Sequence, residues 1–358
     1  MKTQKTSKQS QSVKSKTKKI QKAKKPAVCV KGVSAAKIRE ANKRIRPIVQ
    51  VTPLERSNTL SGKYSANVFV KHEEAQCCGA FKLRGVTNHL KSISPAQRKK
   101  GVVTASTGNH GVAVAYASKL LNANATIYLC ENVPANKVQH IKGYGAKVEF
   151  VKGYCLEAQI KALADAKKYG RYYIHPYNST TTVCGAGTMG LEIWEQMKTL
   201  NVKKIDAVFA CVGGGGLFSG VSTFLKAQDP SIKCYGVSAR RTPAMYECLK
   251  AGDFVTIPPT VPSVADGNGG NLEKDCITFD IMQQNCEEII LVDEDEIKQA
   301  TRWYVEHEHT VVEPTAAVAL AGFQKQYKKF KGKNVVVIAC GRNLDLGKLQ
   351  KILKETKS

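Results

Sequence analysis

The chain has 358 residues, 42% of them hydrophobic and 23% charged. This composition excludes a collagen-like, wholly disordered or disulfide-scaffold protein, and at about 150 residues per domain the length suggests two domains. No apolar run approaches the roughly 20 residues that span a bilayer, so no membrane contact is expected. The first residues lack the apolar stretch of a signal peptide. Twelve scattered cysteines without a C-x-x-C pair read as reduced thiols, which points to a cytoplasmic setting.

The net charge of +26 is unevenly spread. Residues 1–31 hold eleven of the 55 basic residues and no acid, which leaves 44 bases against 29 acids, or +15, for the rest. The tail, taken as 1–32, has the composition of a disordered, solvated extension. Its lysines leave nuclear, organelle or nucleic-acid targeting open. The basic body would draw in small acidic substrates.

From Val33 onward, short β-branched runs alternate with helical patterns. Strands are expected at 68–70, 101–104, 125–129, 148–151, 172–174, 207–210, 233–237, 289–292 and 335–338, and helices at 110–121, 156–169, 188–199 and 294–309. Near-continuous apolar strands separated by helices imply a doubly wound α/β fold with mostly parallel sheets. The Pro/Gly stretch 257–271 reads as a long loop.

Three strand ends lead into polar or glycine-rich turns: Ser106-Thr107-Gly108-Asn109-His110, Gly213-Gly214-Gly215-Gly216-Leu217 and Cys340-Gly341-Arg342-Asn343. In open α/β sheets, ligands bind beyond the carboxyl ends of strands, so these turns suggest one composite site. Four glycines before a helix form a phosphate cup, because the backbone can turn its N–H groups toward an anion at a helix N-terminus. Gly185-Ala186-Gly187-Thr188-Met189-Gly190 has the dinucleotide spacing but follows no strand, so helix packing is the better account. Two further clusters lack the geometry of a metal site. His307 and His309 lie two apart on a helix and cannot chelate together, and the adjacent Cys77 and Cys78 do not suit tetrahedral zinc. Lys82, between Phe81 and Leu83, is either a surface residue or a partly desolvated amine able to form a Schiff base. A Schiff-base lysine, a phosphate cup and an asparagine-bearing turn together meet the needs of pyridoxal phosphate.

Gly79-Ala80-Phe81-Lys82-Leu83-Arg84-Gly85, Ser106–Gly111, Gly213–Gly216, Val312-Glu313-Pro314-Thr315 and Gly341-Arg342-Asn343 resemble the fold-type II pyridoxal-phosphate enzymes. Within these, the resemblance is to the serine/threonine dehydratase (threonine ammonia-lyase) and serine racemase family, from about residue 36 to 346. It implies that Lys82 is the covalent anchor and base, that Phe81 packs by the ring and that Asn109 bonds the ring hydroxyl. Gly213, Gly214, Gly215, Gly216 and Leu217 would hold the phosphate, and Cys340 would stand beside the ring nitrogen. Ser106, Thr107, Gly108, Asn109 and His110 would receive the substrate carboxylate, with Thr107 at the position of the racemases' second proton donor. The stretch 238–244 contains no acid where some members bind a divalent cation, so no metal is expected. Arg342 stands where glycine is usual, and Ser106–Asn109, Gly236-Val237-Ser238 and Gly341-Arg342-Asn343 together resemble the hydroxyectoine-utilisation dehydratase branch. Arg342 would meet an acidic substrate group or pair with Asp345.

The resemblance further implies a large domain of 33–100 and 178–358, a small domain of 101–177, and a homodimer. The expected reaction is β-elimination from L-threonine or L-serine, giving a 2-oxo acid and ammonia. Dehydration of a hydroxyectoine-type solute and serine racemisation are alternatives. A basic nucleic-acid-binding protein on a degenerate enzyme fold is the non-enzymatic one. Since the sequence stops soon after Leu346, no regulatory domain of the biosynthetic threonine-dehydratase kind is expected.

Overall fold

The computed structural model describes residues 30–356 except 107, 132, 134, 154, 259 and 260. Among the described residues, ten strands form two sheets. A six-stranded sheet has the order β1 (Leu54–Arg56), β2 (Asn67–His72), β10 (Asn334–Ala339), β7 (Ala207–Cys211), β8 (Lys233–Ala239), β9 (Cys286–Val292). Only the β1–β2 pair is antiparallel. A four-stranded, wholly parallel sheet has the order β5 (Lys147–Val151), β4 (Ala125–Cys130), β3 (Val102–Ala105), β6 (Tyr172–Tyr173). β7 is buried at every position, as a strand covered on both faces must be. The mostly parallel α/β class follows.

The expected strands are all present within a few residues, and β1 is an addition. It is three residues long, with Glu55 and Arg56 exposed, so no apolar alternation announces it. The helix expected at 188–199 starts eight residues earlier, at Thr180, where the Ser179 hydroxyl accepts the Thr181 N–H as its cap. The spaced glycines therefore lie inside a helix. A Cβ at Gly187 would come within 2.6 Å of Ile38 and 2.9 Å of the Gly220 carbonyl, so close helix packing accounts for them. The helix expected to reach His309 ends at His307, and His309 has φ +52.

The end of the supposed tail needs correction. Val30 and Val33 form an antiparallel bridge, Lys31 pairs with Asp280 at 3.3 Å, and Val33 is fully buried. The remainder of the tail lies outside the described residues.

The helix Lys82–Ser92 links the two sheets. Its Leu83, Val86 and Leu90 are buried in the core of the four-stranded sheet. The same helix packs along Thr180–Thr199, where Asn88 Nδ2 donates to the Thr181 carbonyl at 2.8 Å. Its first turn is clamped by a buried ionic network. Arg84, with no exposed surface, donates through Nε and Nη2 to both oxygens of Glu73 at 2.8 and 2.6 Å. It also donates through Nη1 and Nη2 to both oxygens of Glu192 at 2.8 and 2.7 Å. Lys71, equally buried, donates to Glu192 at 2.8 Å, and Arg46 donates to the same carboxylate at 2.6 Å. Burial opposes the charge on Glu192, but Arg84 and Lys71 outweigh it and hold this carboxyl down at about 2.

Candidate active site

The carboxyl ends of β3, β7 and β10 face one cavity of about 560 Å³ between the two sheets. Phe81, Lys82, Ser106, Gly108, Asn109, His110, Gly213 to Leu217, Cys340 and Arg342 all border it. Thr107 lies outside the described residues.

Lys82 is the first residue of its helix, and its Nζ donates to the Pro176 carbonyl at 2.9 Å. Burial lowers this amine to about 8, against the weaker opposing influence of Cys211, Cys340 and Glu313. A usable fraction is therefore neutral and nucleophilic at neutral pH. Phe81 lies beside it, with Nζ 5.1 Å from the ring centre.

The glycine turn opens the helix Gly216–Gln228, and its shape explains its composition. Gly215 has φ +81, and a Cβ at Gly214 would lie 2.5 Å from the Tyr177 ring. Only glycine satisfies both restrictions. The result is a rigid turn at the positive end of a helix dipole, suited to a phosphate dianion. Thr278 Oγ1 steadies the turn by donating to the Gly214 carbonyl at 2.7 Å.

Asn109 begins the helix Asn109–Leu120. Its Nδ2 donates to Glu313 Oε1 at 2.5 Å, and its Oδ1 accepts from Asn343 Nδ2 at 2.7 Å. Glu313 is buried, and this, with nearby Asp266, lifts its carboxyl to about 7. Gly341 lets Glu313 approach, since a Cβ there would fall 2.6 Å from Glu313 Oε1. The buried His110 ring faces the Ile174 carbonyl through Nε2 at 3.0 Å, and burial drives its pKa well below the imidazole range, so it is neutral. Ser106 Oγ accepts the Gly108 N–H at 3.3 Å. The Arg342 Nη1 donates to the Glu74 carbonyl at 2.6 Å, not to Asp345. Cys340 Sγ lies 3.4 Å from Cys211 Sγ; that hydrogen bond, with burial, pushes the Cys340 thiol well above its usual range.

Sequence reasoning missed four participants. Glu313 stands in the Val312–Thr315 motif, where a Glu directly before a helix-opening proline is the signal that the sequence offers. Tyr177 packs against the glycine turn, and the His175–Glu273 pair, 2.8 Å apart, ties the end of the small sheet to the loop after Asn271. Nothing in their spacing announced them. Among the described residues, no group of three His, Cys, Asp or Glu is disposed to hold a metal ion.

A deep cavity with a depressed lysine amine, a glycine turn at a helix N-terminus and a hydrogen-bonded asparagine fits pyridoxal phosphate. The model of the family described as "Pyridoxal-phosphate dependent enzyme" matches residues 45–341. The chain belongs to that family. Pyridoxal 5'-phosphate is its cofactor and it is a lyase of the ammonia-lyase type. Over 326 residues it is 35% identical to the biosynthetic L-threonine dehydratase of Staphylococcus aureus, covering 89% of this chain and 76% of that one. Maize serine racemase superposes with a TM-score of 0.83 at 33% identity, covering 90% of this chain and 97% of that one. The processed threonine deaminase isoform 2 of Solanum lycopersicum gives 0.81 at 32% identity, covering 94% and 99%.

Proposed function

We propose that the chain eliminates water from L-threonine or L-serine and releases a 2-oxo acid and ammonia. The observation that carries this is Lys82: a half-buried amine lowered to about 8, at the start of a helix and in the same cavity as the glycine turn. When bound, pyridoxal phosphate supplies an aldehyde for the substrate amine and a ring that takes up the electron pair left at Cα. Gly213–Leu217 would hold its phosphate, Phe81 would pack by the ring, and Asn109, fixed by Glu313 and Asn343, would meet the ring hydroxyl. Ser106, Gly108 and the first turn after it would receive the substrate carboxylate. Lys82 Nζ is then the group that removes the Cα proton, its strength matched to neutral pH. The β-hydroxyl departs as water, and the released enamine hydrolyses to the oxo acid and ammonia.

Cys340 bears on the outcome. Its thiol stays protonated and neutral, so it cannot fix a charge on the ring nitrogen as a carboxylate would. A weaker electron sink suits elimination better than chemistry that needs a long-lived carbanion. Thr107, β-branched where racemases carry serine, points the same way. The mostly parallel sheets suggest a large unit of 33–100 and 178–358 and a small unit of 101–177. The free thiols among the described residues suit a cytoplasmic setting, and family analogy suggests a homodimer.

Supplying L-serine and L-threonine to the holoenzyme, with oxo acid, ammonia and D-amino acid measured together, tests the proposal. Oxo acid and ammonia should form in equal amounts and far faster than D-serine. The similarity to maize serine racemase supports a second reading, and D-serine appearing as fast as pyruvate would establish it instead.

A further inference from the structure

Among the buried cysteines, Cys211 and Cys340 differ from the rest by their place. Cys234, Cys248 and Cys286 are packed into the apolar core of the large sheet. Cys211 and Cys340 are in the same core, but both also border the cavity that holds Lys82. Cys211 closes β7 and Cys340 directly follows β10, its parallel neighbour, so the two thiols meet across the strand ends with Sγ atoms 3.4 Å apart.

We infer that Cys211 and Cys340 form an oxidisable dithiol, and that a peroxide converts it to a disulfide inside the cofactor cavity. In that step two S–H bonds break and one S–S bond forms. The two electrons cleave the peroxide O–O bond, and with hydrogen peroxide the two protons leave in two molecules of water. The sulfurs need to close from 3.4 Å to about 2.05 Å, a movement that two strand-end side chains can make. Hydrogen peroxide is close to water in size, and both cysteines line the cavity through which it would arrive. One sulfur attacks the peroxide and takes up an oxygen, and the other, 3.4 Å away, then displaces water from it.

The bond would act on the site through the turns on either side. Cys211 is two residues before the glycine turn. Cys340 precedes Gly341–Asn343, whose Asn343 amide holds Asn109 at 2.7 Å. Drawing the sulfurs together pulls the phosphate turn and the Asn109 support toward one another. It would also remove the Cys340 thiol that is expected beside the ring nitrogen.

The test treats the holoenzyme with hydrogen peroxide, caps the remaining thiols, and maps peptides by mass spectrometry without reductant. The expected product is a single linkage between the Cys211 and Cys340 peptides. Activity should fall by about tenfold or more as the linkage forms, and dithiothreitol should restore it, as thiol–disulfide exchange requires. Cys211→Ser should form no linkage and, relative to its own untreated rate, should resist the same treatment. Peroxide inactivation without the linkage, or equal sensitivity of Cys211→Ser, overturns the inference. Should that variant fail to hold the cofactor, the peptide map of the unaltered chain decides alone. Since the map does not depend on turnover, it separates failure of this inference from failure of the proposed reaction.

Discussion

Arg84→Ala is the perturbation with the largest effect that the structure allows to be worked out away from the cavity. The guanidinium is wholly buried and spends all five donors on Glu73, Glu192 and Thr188. Its removal leaves two buried carboxylates. Glu192 keeps Lys71 and Arg46, whereas Glu73 is left with the Thr52 hydroxyl at 2.6 Å. Breaking a buried ion pair by deleting one partner costs about 3–5 kcal/mol, and the lost side-chain volume adds to that. Against a total stability of about 5–15 kcal/mol, such a loss threatens the fold. Arg84→Lys retains the charge but loses both bidentate contacts, so it should fall between the parent and alanine. Denaturant unfolding followed by far-UV circular dichroism measures all three. An Arg84→Ala midpoint corresponding to less than about 1 kcal/mol of destabilisation would refute the argument that this network fixes the first turn of the lysine-bearing helix.

Two further outcomes are expected. Glu313 releases its proton near 4.5 when unfolded but holds it to about 7 when folded, so the unfolded state binds fewer protons between these values and stability falls as pH rises. Glu313→Gln should remove a decline of roughly 3 kcal/mol between pH 4.5 and 8, seen by denaturant titration at several pH values; an unchanged slope would assign the decline to another group. Chelator should leave turnover unchanged, because the 238–244 stretch is committed elsewhere: Ser238 Oγ donates to the Val212 carbonyl and Arg240 pairs with Asp293. Strong activation by magnesium or calcium would contradict this.

The sheet class and the cavity wall were legible because both are written in local sequence. Buried parallel strands show as apolar runs such as Val335–Ile338, and glycine at 213–216 follows from backbone demands that few other residues meet. What stayed hidden depends on distant pairing. Glu73, Lys71 and Glu192 look like surface charges until Arg84 joins them, with Glu192 108 positions along the chain. Glu313 gains its raised pKa only because the fold buries it near Asp266, and the Asn109 amide that it meets pulls the other way. The first eight residues of the helix Thr180–Thr199 are hidden because tertiary packing overrides local preference. Three threonines and repeated glycines have poor helix propensity, and packing against Ile38, Gly85 and Gly220 overrides it.

The central claim is that this cavity holds pyridoxal phosphate through Lys82, and borohydride reduction of the holoenzyme followed by peptide mapping tests it most directly. The account predicts one reduced cofactor adduct, on the peptide containing Lys82, and loss of both the visible absorption band and turnover in Lys82→Ala. An adduct on a different lysine, or a Lys82→Ala protein that keeps a reducible adduct and turns over substrate, would contradict it.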